Sequence, residues 1–364
     1  MNLKLFGPFR TRMMVQVCLL VLFYLSSLSA QEVIRNAAKP LGKNPGRPLE
    51  LLEVLRIQDT GDKFYFGGSP GGFTSLGMDA IGNIYVQSGK DQILKFTPEG
   101  SFVKNIGRGG QGPGEVSQYF VFLVGDEEVF IMDFGQSRII RMTTEGRLIH
   151  QSRPSHPYND LIGILKDGLI FSRSIYPPLE QRKGKLIDVP HEVLRVSLDG
   201  SEEKLVCTYP VLRFLGQDYA AAWAPFHAAL SDEGRYLSVN HTAEYGISIL
   251  DLGTGKIVKN FKRKYRRIAH TPYRGEAEFN KKYNFKKPYE ADIRGLYVFG
   301  DRLWVKTSTE DKAKGTLYDV YSYDGIYQDA FFLKKNLISL RRGNLLTWEM
   351  DEEGILSVVI YKPK

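Results

Sequence analysis

Two glycine-rich segments have the residue types and spacing of known chemical motifs. Residues 107–112 (GRGGQG) match the G-x-G-x-x-G fingerprint of dinucleotide sites, and residues 67–71 (GGSPG) match the nucleophile elbow of hydrolases. Both motifs need a helix directly after the glycines, to face a phosphate or to present the serine. Pro113 follows the first motif and Pro70 interrupts the second. We therefore expect residues 107–112 to form a turn between sheets and Ser69 to do no nucleophilic chemistry.

The histidines and cysteines give no pattern of a metal site. None of the six histidines stands in an H-x-x-x-H or H-E-x-x-H pair, and the two cysteines form no zinc-binding pair. We therefore predict no catalytic residues and no resident cofactor from these residue types. The histidines are His150, His156, His191, His227, His241 and His270.

Basic residues are concentrated in one segment, residues 259–288, which we call the basic insertion. The chain has 49 Lys and Arg against 41 Asp and Glu, a formal charge of +8, and the insertion alone has 11 basic and 2 acidic residues. Outside a cell, cations interleaved with aromatic rings suit anionic glycans, lipid headgroups or an acidic protein surface. The open alternative is a solvated loop that pairs with acidic residues of neighbouring elements. The interleaved aromatic residues are Tyr265, Tyr273, Phe279, Tyr283 and Phe285.

The first thirty residues have the pattern of a secretory signal peptide. Three basic residues precede an uncharged run, residues 13–25, and small residues then lead to Ala30. The run is shorter than the roughly 20 residues that a membrane-spanning helix needs. We predict that residues 1–30 are a signal peptide cleaved after Ala30, with an uncleaved anchor helix as the alternative. The mature protein is then expected in the periplasm or outside the cell, where it spans no membrane and meets no nucleic acid.

A repeated pattern of short apolar runs and Asp/Gly turns fills the rest of the chain. Six copies, each of roughly 40–45 residues, contain runs rich in Val, Ile, Tyr, Phe and Leu. Such runs are typical of antiparallel strands, and four of them make one propeller blade. Packing blades around an axis covers both faces of every sheet. We predict an all-β, six-bladed β-propeller over residues 49–364, preceded by an N-terminal linker over residues 31–48.

The sixth copy lacks its outermost strand. Residues 355–362 are its last strand-like run, whereas residues 51–57 (LLEVLRI) are strand-like and belong to no copy. We predict that residues 51–57 pair with residues 355–362 as the outer strand of the last blade. This pairing would close the ring.

Residues 107–115 (GRGGQGPGE) and 131–139 (IMDFGQSRI) form two consecutive motifs. They are similar to the G-x-G-P-G-E-F loop and the V-x-D-x-x-N-x-R-I stretch of NHL-repeat propellers, although Val116 replaces the usual Phe. The chain therefore resembles the NHL-repeat and TolB-like six-bladed propellers of exported bacterial type. The resemblance implies that Asp133 and Arg138 are a structural pair that holds the blade.

The same resemblance implies an alternative function, that of a calcium-dependent hydrolase of lactones or phosphoesters. Some propellers of this kind hold a calcium ion in the central channel, where several oxygen ligands must converge. Five aspartates lie near the ends of the predicted inner strands, although aspartate at a strand end is also common turn chemistry. They are Asp79, Asp126, Asp160, Asp232 and Asp292.

The long connections between the predicted strands emerge on one face. In a blade with strands A to D, the B–C and D–A connections share one face, and the A–B and C–D turns share the other. The C–D turns are short (TPEG, TTEG, SLDG, LGTG, SYDG), whereas residues 173–191, 208–226 and 262–291 are long connections on the opposite face. Loops on a rigid scaffold are common binding sites, and insertions tolerated by drift are the alternative explanation.

These patterns lead us to expect a binding or scaffolding module, a monomer without chemistry of its own. Its partner would be a protein, an anionic glycan or a lipid headgroup. Cations of the basic insertion would attract its anionic groups, and aromatic rings would supply stacking area. The expected contact residues are Arg266, Arg267, His270, Tyr273, Arg274, Trp223, Tyr219 and Tyr176.

Overall fold

Six sheets, each with an antiparallel core of four strands, surround a common axis in the computed structural model. The inner strand of each sheet contacts the inner strand of the next, so the ring is closed. The predicted six-bladed β-propeller is therefore confirmed. The predicted signal peptide and Ser69 lie outside the described residues. The structure describes residues 32–364 except 60, 62, 67–74, 90, 183, 217–219, 223, 273–275 and 284–285, as well as the side chains of 220–222, 277 and 279.

Three strands near the N-terminus join sheets that are formed mainly by later residues. Strand β1 (Val33–Asn36) lies beside the outer strand of the fourth sheet, and β2 (Arg47–Pro48) pairs in parallel with the outer strand of the fifth. Strand β3 (Leu51–Gln58) pairs antiparallel with the last strand of the sixth sheet, with Ile57 opposite Val358. The predicted closure of the ring is thus confirmed. Strands β1 and β2 show that residues expected to be a linker also form outer edges of blades.

Blades 1 to 3 follow one another along the chain, and each runs from an inner strand to an outer one. Blade 1 consists of β4 (Leu76–Met78), β5 (Ile84–Ser88), β6 (Gln92–Phe96) and β7 (Phe102–Asn105). Blade 2 consists of β8 (Phe120–Val124), β9 (Glu128–Asp133), β10 (Arg138–Thr143) and β11 (Leu148–Ser152). Blade 3 consists of β12 (Asp160–Leu165), β13 (Gly168–Ser174), β14 (Lys185–Ser197), β15 (Glu203–Leu215) and β16 (Ala220–Ala222).

Blades 4 to 6 repeat this order and receive the three N-terminal strands at their outer edges. Blade 4 consists of β17 (His227–Leu230), β18 (Tyr236–Asn240), β19 (Ile247–Asp251), β20 (Lys256–Arg263) and β1. Blade 5 consists of β21 (Ile293–Phe299), β22 (Arg302–Asp311), β23 (Gly315–Ser322), β24 (Tyr327–Leu333) and β2. Blade 6 consists of β25 (Leu337–Arg341), β26 (Asn344–Met350), β27 (Leu356–Pro363) and β3.

Helices are few in the part of the chain that the structure describes. Helix α1 (Glu276–Tyr283) lies within the basic insertion, and one 3₁₀ turn spans Leu179–Gln181. Among the described residues, no helix has the length and apolar character needed to cross a bilayer.

Each blade is apolar on both faces because it is packed between two neighbours. All five residues of β5 and all five of β19 are buried, whereas half-buried and exposed residues alternate along the outer strand β7. The buried apolar side chains of the described residues form six clusters, one at each junction between blades. At the junction of blades 6 and 1, Phe66 meets Trp348 edge to face. Burial of each large apolar side chain contributes about 1.5–3 kcal/mol.

Adjacent inner strands approach each other closely at a glycine. A Cβ atom on Gly163 of β12 would lie 3.0 Å from Cβ of Leu230 in β17, and nearer still to one of its methyl groups. We expect Gly163→Ala to lower the free energy of unfolding in urea by about 1–2 kcal/mol, because the strands must move apart. The matched control is Gly246→Ala, since no atom lies within 4 Å of its added Cβ. An equal loss in both variants would contradict the close approach.

Candidate functional site

The two faces of the propeller differ in the length of their connections. The antiparallel order places the B–C and D–A connections on one face, which we call the loop face, and the A–B and C–D turns on the other, the turn face. The C–D turns of blades 1 to 5 each contain a glycine with positive φ, between 67° and 86°. This backbone conformation permits a tight turn and keeps the turn face short. The glycines are Gly100, Gly146, Gly200, Gly255 and Gly325.

In blade 3, strands β14 and β15 extend beyond strand β13 on the loop face. Strand β13 pairs with β14 only as far as His191, whereas β14 stays paired with β15 to Lys185. The short strand β16 adds to the edge of β15. We call residues 185–191 and 208–215 the blade 3 arm. Two of the long connections seen in the sequence therefore form one ordered β structure.

A histidine clamp holds the basic insertion together. Nδ1 of His270 lies 2.7 Å from Oε1 of Glu290, and Nε2 lies 2.8 Å from Oε1 of Glu276 at the start of α1. Burial is the largest single effect on Glu290 and raises its pKa, but the hydrogen bond from His270 and the nearby charges of Lys287 and Arg294 together lower that pKa below its ordinary value. His270 is only 9% exposed. Its side chain therefore positions α1 within the insertion.

The basic insertion reaches across the loop face to the blade 3 arm. The ring of Tyr283, the last residue of α1, lies 5.5 Å from the ring of Phe214 in the arm, in an edge-to-face arrangement. An isolated antiparallel bridge pairs Ala269, within the insertion, with Tyr289, the residue that follows it. The contact of Tyr283 with Phe214 therefore joins the insertion to blade 3.

Residues of the blade 3 arm and of the basic insertion line a cavity of about 330 Å³, which we call the arm cavity. Prolines, aliphatic side chains and a tyrosine ring make up much of its wall, and charged groups complete it. Such a mixture of apolar surface and a few polar groups is typical of ligand sites. The apolar wall includes Pro210, Leu212, Pro288 and Tyr289, and the charged groups include Glu244 and Arg267.

A second cavity, of about 460 Å³, shares Glu244 and Arg267 with the arm cavity. We call it the cationic cleft, because five basic residues line it against two acidic ones. Strand β1 contributes Arg35, and residues 262–264 contribute two lysines and an arginine. The acidic residues are Glu244 and Asp292. The two cavities are therefore neighbours, one with a largely apolar wall and the other with a cationic wall.

The guanidinium of Arg263 is buried beneath the cationic cleft, among three tyrosine rings and a carboxylate. Its Nε lies 2.7 Å from Oδ2 of Asp319, and the guanidinium lies 4.8, 4.9 and 5.2 Å from the ring centroids of Tyr245, Tyr265 and Tyr327. Tyr245 and Tyr327 each donate a 2.6 Å hydrogen bond to Asp319. Burial, and to a smaller extent the charge of Asp319, raises the pKa values of both phenols far above the ordinary value of tyrosine. Both hydroxyl groups therefore remain hydrogen-bond donors. We call these five residues the tyrosine cage.

The predicted contact residues occupy different environments. Arg267 lines both cavities, and its Nε lies 3.2 Å from Oδ1 of Asp292. Arg266 is exposed and has no ion pair with any residue that the structure describes. Tyr176 is half-buried beneath the guanidinium of Arg182, at 5.6 Å, and lines neither cavity. Tyr219, Trp223, Tyr273 and Arg274 lie outside the described residues.

Asp133 and Arg138 form a buried pair that holds the loop before β8. Arg138 is 2% exposed, and its Nη2 lies 3.4 Å from Oδ2 of Asp133. Its Nη1 donates to the carbonyl oxygens of Gln111 and Gly112, at 3.2 and 3.1 Å.

Residues 107–112, the first glycine motif, form a connection between blades 1 and 2, and the next strand along the chain is β8. The first glycine motif therefore lacks the helix that dinucleotide binding requires.

The aspartates considered as calcium ligands are divided between the two faces. Among the described residues, no group of three His, Cys, Asp or Glu side chains is placed to hold a metal ion. Asp79, Asp126 and Asp232 follow inner strands on the turn face, whereas Asp160 and Asp292 lie at the loop-face ends of inner strands.

Arg35 and Glu244 are lining residues that the sequence analysis missed. Arg35 reaches the cationic cleft because β1 lies beside β20, a pairing between segments 226 positions apart at Asn36 and Lys262. Glu244 lies in the B–C connection of blade 4, outside the basic insertion. No spacing or motif links either residue to the insertion, so only the fold brings them together.

The closed ring of six blades defines this protein as a six-bladed β-propeller. Residues 78–215 match the model of the family DUF5128, a 6-bladed beta-propeller family. The search of curated proteins finds no match to the chain.

Two solved structures from Bacteroides species share this fold at low sequence identity. A candidate exported protein from Bacteroides fragilis is 12% identical, with a TM-score of 0.56, and the match covers 92% of this chain and 100% of that one. A member of the DUF4221 family from Bacteroides vulgatus is 15% identical, with a TM-score of 0.53, and covers 87% of this chain and 99% of that one. At these identities the likeness describes the fold alone.

Proposed function

We propose that this protein is an exported binding module that holds an anionic ligand on its loop face, without catalysis of its own. The observation that carries the proposal is that the basic insertion lines two neighbouring cavities, one of which it shares with the blade 3 arm. One cavity is largely apolar and the other is cationic. A ligand with an anionic group and an apolar part would fill both, on loops that a rigid ring holds in place.

Exposed cations extend the positive surface beyond the cationic cleft. Arg266, Lys281 and Lys286 are exposed, and none of them forms an ion pair with another described residue. Uncompensated surface charge raises the local concentration of oppositely charged partners and speeds their association. An anionic glycan, a lipid headgroup or an acidic protein surface would meet this field.

The proposal places the protein in the periplasm or outside the cell, as a monomer. The predicted signal peptide, residues 1–30, supports export. The motif of residues 107–115 and the pair of Asp133 and Arg138 support the finer assignment to the NHL-repeat or TolB-like type.

A charge-reversal variant on the loop face tests the proposal. The triple change Arg266→Glu, Lys281→Glu and Lys286→Glu should weaken binding to immobilised heparin, used as a polyanion, by about tenfold or more. Contacts at this surface remain effective near 0.15 M salt, where the Debye length is about 8 Å. The salt concentration at elution and a titration in solution measure the effect.

The control reverses three exposed cations on the turn face, Arg147, Lys166 and Lys204, and so produces the same change in net charge. It should reduce heparin binding far less than the loop-face variant. Equal losses in both variants would mean that total charge governs retention, and the loop face would then be rejected as the binding surface.

A further inference from the structure

We propose that the cationic cleft is a binding site for a phosphate monoester group. This inference rests on the proposed function, because it assigns the anionic group that the loop face would hold. The ligand is a dianionic phosphate group attached to a larger molecule, which is either a free phosphorylated compound or a lipid.

Three cations of the cleft have no carboxylate partner among the described residues. They are Arg35 from β1, and Lys262 and Lys264 from the end of β20 and the residue that follows it. Arg35 and Lys264 are exposed, and Lys262 is half-buried. Lysine and arginine are the side chains that most often bind phosphate oxygens. All three line one cavity, so their positive charges act on the same space.

The remaining charges of the cleft neutralise one another. Arg263 is satisfied by Asp319 within the tyrosine cage, where Nη2 of the guanidinium lies 2.7 Å from Oδ2. Arg267 lies 3.2 Å from Asp292, which also accepts the backbone N–H of Tyr245. Burial raises the pKa of Asp292, and Arg267 opposes that effect.

Glu244 is the other acidic residue that lines the cleft. It lies 3.9 Å from Nη1 of Arg267, and its side chain is 81% exposed. Its charge is therefore both paired and screened by solvent. The cleft therefore has an excess of positive charge, which comes from Arg35, Lys262 and Lys264.

The number of free cations favours phosphate over a carboxylate. One carboxylate carries a single charge, whereas a phosphate monoester carries close to two at neutral pH and has three oxygens that accept hydrogen bonds. The cavity of about 460 Å³ is larger than a bare phosphate needs. It therefore has room for the group to which the phosphate is attached, and the adjoining arm cavity offers apolar surface for the rest.

Calorimetric titration with inorganic phosphate and with glycerol phosphate tests the site, with acetate as the carboxylate comparison. We expect glycerol phosphate to bind at least about tenfold more tightly than acetate. Vesicles of phosphatidylcholine with and without phosphatidate form the second arm. Binding of glycerol phosphate indicates a free phosphorylated compound, whereas binding confined to phosphatidate vesicles indicates a lipid source. No phosphate binding in either arm, or acetate binding equal to that of phosphate, would overturn the proposal.

Variants locate any binding in the cleft. Arg35→Gln combined with Lys262→Gln and Lys264→Gln should lower the affinity for the phosphate probe by about tenfold or more, whereas Arg147→Gln combined with Lys166→Gln should leave it unchanged. Because Lys262 is half-buried, Arg35→Gln alone serves as a second variant at an exposed position, with an expected loss of about threefold or more. Unchanged affinity in both cleft variants would place the phosphate elsewhere and reject the site.

The two proposals fail in different ways. The heparin experiment changes Arg266, Lys281 and Lys286, none of which lines the cleft. Heparin binding that depends on these residues, without any phosphate binding, would leave the loop face as a polyanion surface and reject the cleft. Phosphate binding that depends on Arg35, without a loop-face effect on heparin, would retain the cleft and reject the broader surface.

Discussion

Replacing Asp319 with alanine should lower the free energy of unfolding by about 3–5 kcal/mol, measured by urea denaturation. Asp319 is fully buried and Arg263 is 7% exposed, so the change leaves a positive charge inside the protein without its partner. It also removes the acceptor of the hydrogen bonds that Tyr245 and Tyr327 donate. A buried donor without an acceptor adds its own penalty of about 1–3 kcal/mol, so this cage is more sensitive than a surface ion pair.

Two further variants separate the charge from the packing. The double change Arg263→Met and Asp319→Leu removes both charges and should destabilise the protein less than Asp319→Ala alone, since no unpaired charge remains. Asp324→Ala is the matched surface control, because its carboxylate is 83% exposed and lies 4.0 Å from Lys259. We expect that control to change stability by less than about 0.5 kcal/mol. A loss of this small size at Asp319 would contradict the description of the cage.

The tyrosine cage connects the stability of the fold to the candidate site. Arg263 and Tyr265 lie at or just beyond the end of β20 in blade 4, and Tyr245 lies in the B–C connection of the same blade. Asp319 and Tyr327 belong to β23 and β24 of blade 5. The junction of two blades is therefore also the floor of the cationic cleft. A ligand held by the cleft would meet a rigid surface, which limits the entropy lost on binding.

The sequence predicted the propeller because the signals for it are local. Each blade repeats apolar runs with tight Asp/Gly turns, and the glycines at these turns have the positive φ that the turns need. The closure of the ring can also be predicted from the sequence, because residues 51–57 are strand-like and the sixth copy lacks a strand. Counting strands per copy was enough to pair two segments that are about 300 residues apart, as Tyr361 and Glu53 are 308 positions apart.

The sequence does not show which cations of the basic insertion form ion pairs. In the sequence its cations are equivalent, and both a ligand-binding surface and pairing with neighbouring acidic residues were open. In the fold, Arg263, Arg267 and His270 are paired, whereas Arg266 is exposed. The partners of the first two, Asp319 and Asp292, lie 56 and 25 positions further along the chain. No periodicity encodes such contacts, so they arise only when blades pack together.

Helix α1 and strand β1 show a second limit of local patterns. The helix has only eight residues and is stabilised by the His270 clamp and the contact of Tyr283 with the arm, because a helix of this length is marginal by itself. Strand β1 has four residues and is defined by the neighbouring strand β20. Both elements owe their structure to tertiary contacts, and β1 contributes Arg35 to the cationic cleft.

The stability of the protein should fall with acid partly because of His191 at the base of the blade 3 arm. The imidazole is 2% exposed, accepts or donates one hydrogen bond with Ser174 at 2.8 Å, and lies 4.0 Å from the ring of Phe226. Burial, and then the nearby charge of Arg213, lowers the pKa of His191 to about 4, compared with about 6.5 for an ordinary histidine. The unfolded chain therefore binds a proton at a higher pH than the folded protein does. The contribution of His191 to stability is present above pH 6.5 and is lost as the pH falls towards 4.

We expect this linkage to reduce the free energy of unfolding by about 2–3 kcal/mol between pH 7 and pH 4.5. Urea denaturation of His191→Phe at both pH values isolates the effect, because the variant has no proton to bind at this position. The difference between the wild type and the variant should change by about 2–3 kcal/mol over this pH interval. His156→Gln, at an exposed position, is the control and should show a change of less than about 0.5 kcal/mol. If His191→Phe showed as small a change as this control, the imidazole would have to be accessible to protons in the folded state, and the arm would open at its base.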